Sequence, residues 1–411
     1  MNANSGFLST LPDPGLAMLA SSLASPVPTI SSERTNAEVL EVFNKYRDLI
    51  SLPVLEQGLP IGLISRNIFM SQMSKPYYRE LYEKKTCIAF MDKEPLIADA
   101  NTSVEKLAAL AVESGDKTLA DGFMIVREGQ FIGLGSGLDL MQKMVDLQTE
   151  KNHQVMQSID YASTIQQAML STSREAVRAT MEDACLIWKP RDVVGGDFYH
   201  FERFENGWFA AIADCTGHGV PGAFLTVIAS SALTQALNQH GPTDPSRLME
   251  SVNRSIKATL GQQSAKERLS ESDDGMDAAF LWFDTTTHEL TCAAARMPLF
   301  YMTADDQEVQ TIEAERTGLG YVATDEHATW QNKVVTLPPD SILFGTTDGL
   351  TDQIGGPKAI SFGKQRLRQF LVANRTRSMT ALIEALMLEH KNYQGQHHRR
   401  DDITCFGFRL A

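Results

Sequence analysis

Val194-Gly195-Gly196-Asp197-Phe198-Tyr199 and Ala213-Asp214-Cys215-Thr216-Gly217-His218-Gly219 decide how this chain is read. In both, an aspartate stands at the end of an apolar run or beside glycine, where a strand hands over to a loop. Two later segments repeat the arrangement: Thr347-Asp348-Gly349-Leu350 and Arg400-Asp401-Asp402-Ile403-Thr404. One aspartate next to glycine is ordinarily a turn residue. Four of them gathered from strand ends make a site for hard divalent cations, which prefer oxygen donors to imidazole or thiolate. The pattern points to metal-assisted hydrolysis, with Asp197, Asp214, Asp348 and Asp401 as candidate catalytic and metal-ligating residues.

Around these segments, residues 181–411 mix two periodicities. Residues 184–188, 208–213, 278–284, 289–294, 299–302, 332–337, 341–346 and 403–410 read as strands. Residues 222–238, 245–260 and 379–390 read as helices. Strands and helices come in blocks, which favours an α+β layered sandwich over a doubly wound sheet.

Upstream lies an internal repeat. Residues 54–65, Val-Leu-Glu-Gln-Gly-Leu-Pro-Ile-Gly-Leu-Ile-Ser, match residues 125–136, Ile-Val-Arg-Glu-Gly-Gln-Phe-Ile-Gly-Leu-Gly-Ser, at a constant offset of 71. Each copy signals a β-hairpin, two apolar runs around a glycine-containing turn. Asn36-Ala37-Glu38-Val39-Leu40 parallels Ser103-Val104-Glu105-Lys106-Leu107, each opening an amphipathic helix. The order helix, strand, strand, helix resembles a tandem pair of cystathionine-β-synthase-type (CBS) domains, a nucleotide-sensing module. In that family the second strand ends in a Thr and an Asp that grip phosphate and ribose. The second copy offers Ser136 and Asp139 there, whereas the first has Ser65 but Ile68 in place of the acid. The resemblance implies an adenine nucleotide at Ser136 and Asp139, or else a ligand-free scaffold. The segment 75–85, with Tyr77, Tyr78 and Tyr82, reads as an extra helix or loop between the copies. Residues 1–25, rich in Ser, Ala, Pro and Gly, read as a disordered tail ahead of a sensor domain at 26–137.

Residues 138–180 contain neither proline nor glycine. Met141, Met144, Gln148, Lys151, Val155, Ser158, Ala162, Ile165 and Met169 recur at alternating spacings of three and four, an a/d seam with polar interruptions. The segment predicts a helical, coiled-coil-like linker that pairs two copies into a homodimer, or an amphipathic helix lying on the catalytic region at 181–411.

Composition bounds the rest. The 411 residues are 43% apolar and 21% charged, an ordinary globular balance. A formal charge of −14, with 37 basic against 51 acidic residues, argues against nucleic-acid recognition. Five scattered cysteines form no CxxC pair and no Cys/His cluster, which speaks for a reducing compartment. The apolar stretch 16–24 is broken by Ser21 and Ser22, and no membrane insertion is expected. Cytoplasmic localisation follows as the expectation.

From residue 184 onward the chain resembles the SpoIIE-like class of metal-dependent (PPM-type) protein serine/threonine phosphatases. The matching text runs from Trp188-Lys189-Pro190-Arg191-Asp192-Val193 through the Asp197 and Asp214 segments to Val220-Pro221-Gly222-Ala223. It continues with Asp274-Gly275-Met276-Asp277, Thr347-Asp348-Gly349-Leu350-Thr351-Asp352-Gln353 and the Asp401 segment. The resemblance implies an α-β-β-α sandwich with two Mn²⁺ or Mg²⁺ ions between its sheets. By it, Asp214 bridges them, the main-chain carbonyl of Cys215 is a second contact, Asp197 serves one ion, and Asp348 and Asp401 complete the other. Asp402 stands beside Asp401 as an alternative ligand. A metal-activated water would attack phosphorus directly. The implied substrate is a phosphorylated STAS-type anti-sigma-factor antagonist in a bacterial partner-switching pathway. The rival reading is a non-catalytic module that binds the phosphoprotein. His218 and Arg191 are either structural or able to meet substrate. One departure stands out: many members have Ala-Gly-His-x-Pro where this chain has Ala294-Ala295-Arg296-Met297-Pro298.

Overall fold

The computed structural model of the protein describes residues 18–262 and 273–410. The chain divides into two compact units, one ending at Val155 and the other starting at Met156.

The first unit contains the repeat. Strand β1 (Ile30–Ser31), helix α1 (Asn36–Lys45), strands β2 (Ser51–Glu56) and β3 (Leu59–Ser65) and helix α2 (Arg66–Met73) make the first copy. A short helix α3 (Tyr78–Tyr82) follows. The second copy is β4 (Ile97–Asp99), α4 (Val104–Glu113), α5 (Asp116–Asp121), β5 (Phe123–Arg127), β6 (Gln130–Gly135) and the start of α6 (Gly137–Thr180). Each copy folds into a three-stranded sheet whose first strand pairs parallel to the second. Both hairpins turn through two left-handed residues, Gln57 and Gly58 in one and Glu128 and Gly129 in the other. That geometry suits the twist of a two-residue hairpin loop. The register slips at Val54/Leu55 and again at Ile125/Val126, so the 71-residue repeat extends to its bulges. Thr35 and Glu38 form a reciprocal capping box on α1, and the Ser103 hydroxyl accepts from the Lys106 amide on α4.

One expectation is corrected here. Residues 18–25, expected in the tail, are part of the folded unit, and residues 1–17 lie outside the described residues. Ala20 and Leu23 are buried among Ala98, Val104 and Phe123. The Ala20 amide donates to the Thr102 carbonyl at 2.7 Å. The small residues that read as a tail are what let this segment lie close: a Cβ on Gly133 would stand 2.9 Å from Ala24.

The second unit is built from the rest of α6 and these elements in chain order. They are β7 (Asp183–Lys189), β8 (Asp197–Phe204), β9 (Gly207–Cys215), α7 (Gly219–His240), α8 (Pro245–Leu260), β10 (Met276–Asp284), β11 (Glu289–Ala295), β12 (Leu299–Met302) and β13 (Gln310–Ile312). They continue with β14 (Lys333–Thr336), β15 (Ile342–Thr346), α9 (Asp348–Thr351), β16 (Ile354–Gly355), β17 (Ile360–Ser361), α10 (Gly363–Ala373), α11 (Met379–Gln394) and β18 (Ile403–Arg409). Two five-stranded sheets, in orders β14-β11-β10-β9-β8 and β13-β12-β15-β18-β7, stack face to face. Alternation sorts the side chains into layers. On β9, Trp208, Ala210 and Ile212 enter the core between the sheets with Phe406 and Phe408, while Phe209, Ala211 and Ala213 face α7 and α8. The opposite sheet turns Phe344 and Cys405 toward Leu367 of α10 and Leu382 and Leu386 of α11. The architecture is the α-β-β-α sandwich of the α+β class. Helix α7 is long and apolar enough to cross a bilayer, but its Leu225, Ala229 and Leu233 are buried in the core it shares with the sheet.

Helix α6 is one unbroken element of 44 residues. Its buried face in the second unit is Ser163, Gln166, Leu170, Ser173 and Val177. The periodicity is that of the expected seam, but displaced from it. Of the expected seam residues, Met141, Val155 and Ile165 stand exposed, and Ala162 and Met169 are half-buried. The reason is polar: β8 is an edge strand, and Ser173 accepts its Phe201 amide at 3.0 Å. A side chain able to satisfy an edge outranks an apolar one there.

Candidate active site

Strands β8, β9 and β10 lie side by side, and their register sets Asp197 opposite Asp214 and Asp214 opposite Asp277. Asp214 continues the face of Trp208, Ala210 and Ile212, so the carboxylate emerges between the sheets where the apolar run ends. From the other sheet, β15 delivers Thr347 and Asp348, and the loop before β18 delivers Asp401 and Asp402. Asp214, Asp277 and Asp348 line one cleft together with Arg296, Thr347 and Lys364. Asp197 is buried behind it, its carboxylate accepting from the Thr347 hydroxyl at 2.8 Å; that hydroxyl in turn accepts from the Thr404 amide at 2.9 Å. Among the described residues, no three His, Cys, Asp or Glu side chains close into a ready coordination shell. Like charges repel, and several of these carboxylates take neighbouring donors instead.

Asp401 and Asp402 have distinct surroundings. Asp402 is buried and accepts from two amides, Arg191 at 2.5 Å and Gly196 at 2.6 Å. Asp401 is half-buried and accepts the amide of Asp402 at 2.9 Å. Cys215 is buried, and its amide donates to Gly196 at 3.2 Å. Gly196 is required by close approach: a Cβ there would meet the Gly217 carbonyl at 2.4 Å and that of Cys215 at 2.7 Å.

Electrostatics mark the cluster. Burial, and then the charge of Asp402, hold the Asp197 carboxyl well above the usual carboxylate range, against the pull of its Thr347 hydrogen bond. Asp214 is raised by burial and next by Asp197, Asp348 and Asp401. Asp348 is exposed as a residue, but its carboxyl is shielded in the cleft; that burial, with Asp352 and Asp401, pushes it up to about 6. Carboxylates that raise one another in this way are a site wanting positive charge.

Some residues that hold the site were not apparent from the sequence. Gln166 of α6, 3% exposed, grips both backbone groups of Gly195: its amide donates to the carbonyl at 2.7 Å and its oxygen accepts the N–H at 3.1 Å. Thr226 of α7 donates to the Gly196 carbonyl at 2.9 Å. Arg399 donates to the carbonyls of Asp401, Pro190 and Lys189, tying the Asp401 loop to β7. The available signals were a glutamine among small and apolar residues at helical spacing, and a threonine directly before Asp348. His218 and Arg191 turn out to be occupied locally. His218 pairs through Nδ1 with Asp192 at 2.8 Å, and Arg191 donates to the Arg400 carbonyl at 3.0 Å.

Residues 205–411, half of the chain, match the family model for stage II sporulation protein E (SpoIIE). The chain belongs to the SpoIIE family. Residues 20–75 match the CBS domain. Over 299 residues the chain is 24% identical to the phosphoserine phosphatase RsbU of Bacillus subtilis (strain 168), spanning 71% of this chain and 79% of RsbU. The SiaA-PP2C domain of Pseudomonas aeruginosa is 32% identical and superposes with a TM-score of 0.57, covering 64% of this chain and 99% of that domain. This SpoIIE-family chain is a protein serine/threonine phosphatase of the PPM type carrying an N-terminal CBS domain.

Proposed function

We propose that the chain is a metal-dependent phosphatase that removes phosphate from a phosphoserine or phosphothreonine of a small STAS-type regulator. In this reading Asp197, Asp214, Asp348 and Asp401, with the carbonyl of Cys215, hold two Mn²⁺ or Mg²⁺ ions. The observation that carries it is the convergence of carboxylates from both sheets: Asp197 and Asp277 flank Asp214 in register, and Asp348 shares its cleft. The donor set, oxygen throughout, fits hard divalent cations. Such ions, when bound, supply charge to the phosphoryl oxygens and lower the pKa of a water for attack.

The protein's own part is positional. Thr347 fixes the Asp197 carboxylate, Asp402 and Gln166 fix the loop that carries it, and Arg399 fixes the Asp401 loop. No thiol competes as nucleophile. All five cysteines are buried, and burial pushes the Cys215 thiol far above its usual range.

Regulation is assigned to the first unit. Ser136 and Asp139 line a cavity of about 580 Å³ with Pro26, Lys45, Arg47 and Asp48, and this is where an adenine nucleotide would lie. The counterpart cavity holds Ser65 and Ile68; the Ser65 hydroxyl donates to Asp121 outside that lining, whereas the Ser136 hydroxyl donates to Asp139 of its own site. The exposed Met141, Val155 and Ile165 of α6 support a homodimer in the same reading. The experiment is dephosphorylation, with Mn²⁺, of a serine-phosphorylated STAS protein by the full chain, with and without ATP. Release from the STAS protein at no higher rate than from an unrelated phosphopeptide would refute the substrate assignment.

A further inference from the structure

Arg296 lies in the link from β11 to β12, where its backbone is left-handed at φ +57°. A non-glycine residue keeps that conformation only where its surroundings hold it. Here they do. Its amide donates to the Glu315 carbonyl at 2.7 Å and its Nε to the Arg316 carbonyl at 3.0 Å. The guanidinium lies over the Tyr321 ring, 4.6 Å from the centroid. The Tyr321 hydroxyl donates to Asp277 Oδ1 at 3.1 Å, and Arg296 Nη1 stands 3.6 Å from that same oxygen. Tyr321 is anchored in turn, because the buried Lys257 of α8 donates to its carbonyl at 2.8 Å.

This arrangement is poorly suited to stabilising the fold. The Arg296–Asp277 pair is 42% and 31% exposed and longer than a hydrogen bond, a class worth little. It is well suited to presenting a guanidinium. Only Nε is committed to a short bond, which leaves the paired Nη donors of a planar fork, the geometry that meets two oxygens of a phosphoryl group. Arg296 lines the cleft that holds Asp214, Asp277 and Asp348, where the side chains of opposite sign are Arg296 and Lys364.

We propose that Arg296 receives the phosphoryl group of the substrate and that Asp277 and Tyr321 position it to do so. The inference rests on the metal-dependent phosphatase reading above and adds to it the residue that recognises the phosphate. Because Asp277 faces Asp214 across the strand, the register of β9 and β10 sets the distance between the recognised phosphate and the carboxylate cluster.

The test uses the full-length protein with Mn²⁺, p-nitrophenyl phosphate as substrate and inorganic phosphate as competing probe. Arg296→Ala should raise both KM and the half-inhibiting phosphate concentration by about tenfold or more, with the Mn²⁺ requirement unchanged. Asp277→Asn should move the same two constants the same way by less. Arg296→Gln, which keeps a polar stem over Tyr321, is read in the same manner should the alanine variant not fold. Constants within about twofold of wild type in a folded Arg296 variant would overturn the proposal while leaving the phosphatase reading intact. A wild-type protein that releases no phosphate with Mn²⁺ would overturn both.

Discussion

Replacing Gln166 by alanine is the most informative single change to the support of this site. Gln166 is all but inaccessible and satisfies both backbone groups of Gly195. The two groups differ in what remains. The Gly195 carbonyl loses its short donor, because the single proton of the Thr226 hydroxyl, 3.3 Å away, has the nearer Gly196 carbonyl at 2.9 Å; that loss is about 1 kcal/mol. The Gly195 N–H sits in a buried loop and has no second partner among the described bonds; orphaning it costs roughly 1–3 kcal/mol. Together the change is worth about 2–4 kcal/mol, since the better helix propensity of alanine returns only a few tenths. For a unit of this size each kcal/mol lowers Tm by roughly 2–4 °C, so Gln166→Ala should lower the transition of the second unit by about 4–16 °C. Gly195 lies two residues before Asp197, so the Mn²⁺ concentration for half-maximal phosphate release should rise as well. Gln167→Ala, at the exposed neighbour, is the control. Differential scanning calorimetry and a metal titration read both effects. A Gln166→Ala variant that melts within about 1 °C of wild type, with an unchanged Mn²⁺ requirement, would refute the reasoning.

Two further predictions concern charge and assembly. Asp348 has a folded pKa raised from 3.8 to about 6, and Asp197 and Asp214 are raised too, so the folded state binds protons more tightly than the unfolded one. The sign follows: the chelated protein should lose stability as pH climbs from below 4 through about 6, and the Tm gain on adding Mn²⁺ should be larger at pH 7.5 than at pH 5. A gain that is flat across that range would contradict the coupling. Val155→Asp with Ile165→Asp should halve the mass seen by light scattering if α6 pairs two copies, because a charge is placed at each exposed seam position; an unchanged mass would exclude that interface.

Legibility varied with the kind of interaction. The hairpin repeats and the strands of the sandwich were readable because alternation and left-handed turns are local properties of the chain. The aspartates were readable because each stands at a strand boundary or beside glycine; Asp214 and Asp348 line one cleft, with Asp197 opposite Asp214 and buried behind it. The edge strand Asp197–Phe204 and helix Gly363–Ala373 were not foreseen. In the first, charged and aromatic residues blur the alternation, and in the second Arg366 and Arg368 interrupt the apolar face. The buried side of α6 was misread because its residues Ser163, Gln166 and Ser173 are polar, and only the edge of β8 and the Gly195 loop give them a purpose. Segment 18–25 was misread because small residues signify disorder in isolation and close packing when a glycine such as Gly133 lies opposite. Asp277 was quoted only as part of a motif; its place beside Asp214 depends on strand register, which no local pattern fixes.

The central claim is that carboxylates gathered between the sheets make this a metal-dependent phosphatase, and Asp214, opposite both Asp197 and Asp277, is its geometric centre. The direct measurement is phosphate release from a serine-phosphorylated protein by wild type and Asp214→Asn, each chelated and then titrated with Mn²⁺. The account predicts release by wild type only after Mn²⁺ is added, and none by a folded Asp214→Asn at any Mn²⁺ concentration. Equal release by both proteins, or release by wild type that chelation does not abolish, would contradict it.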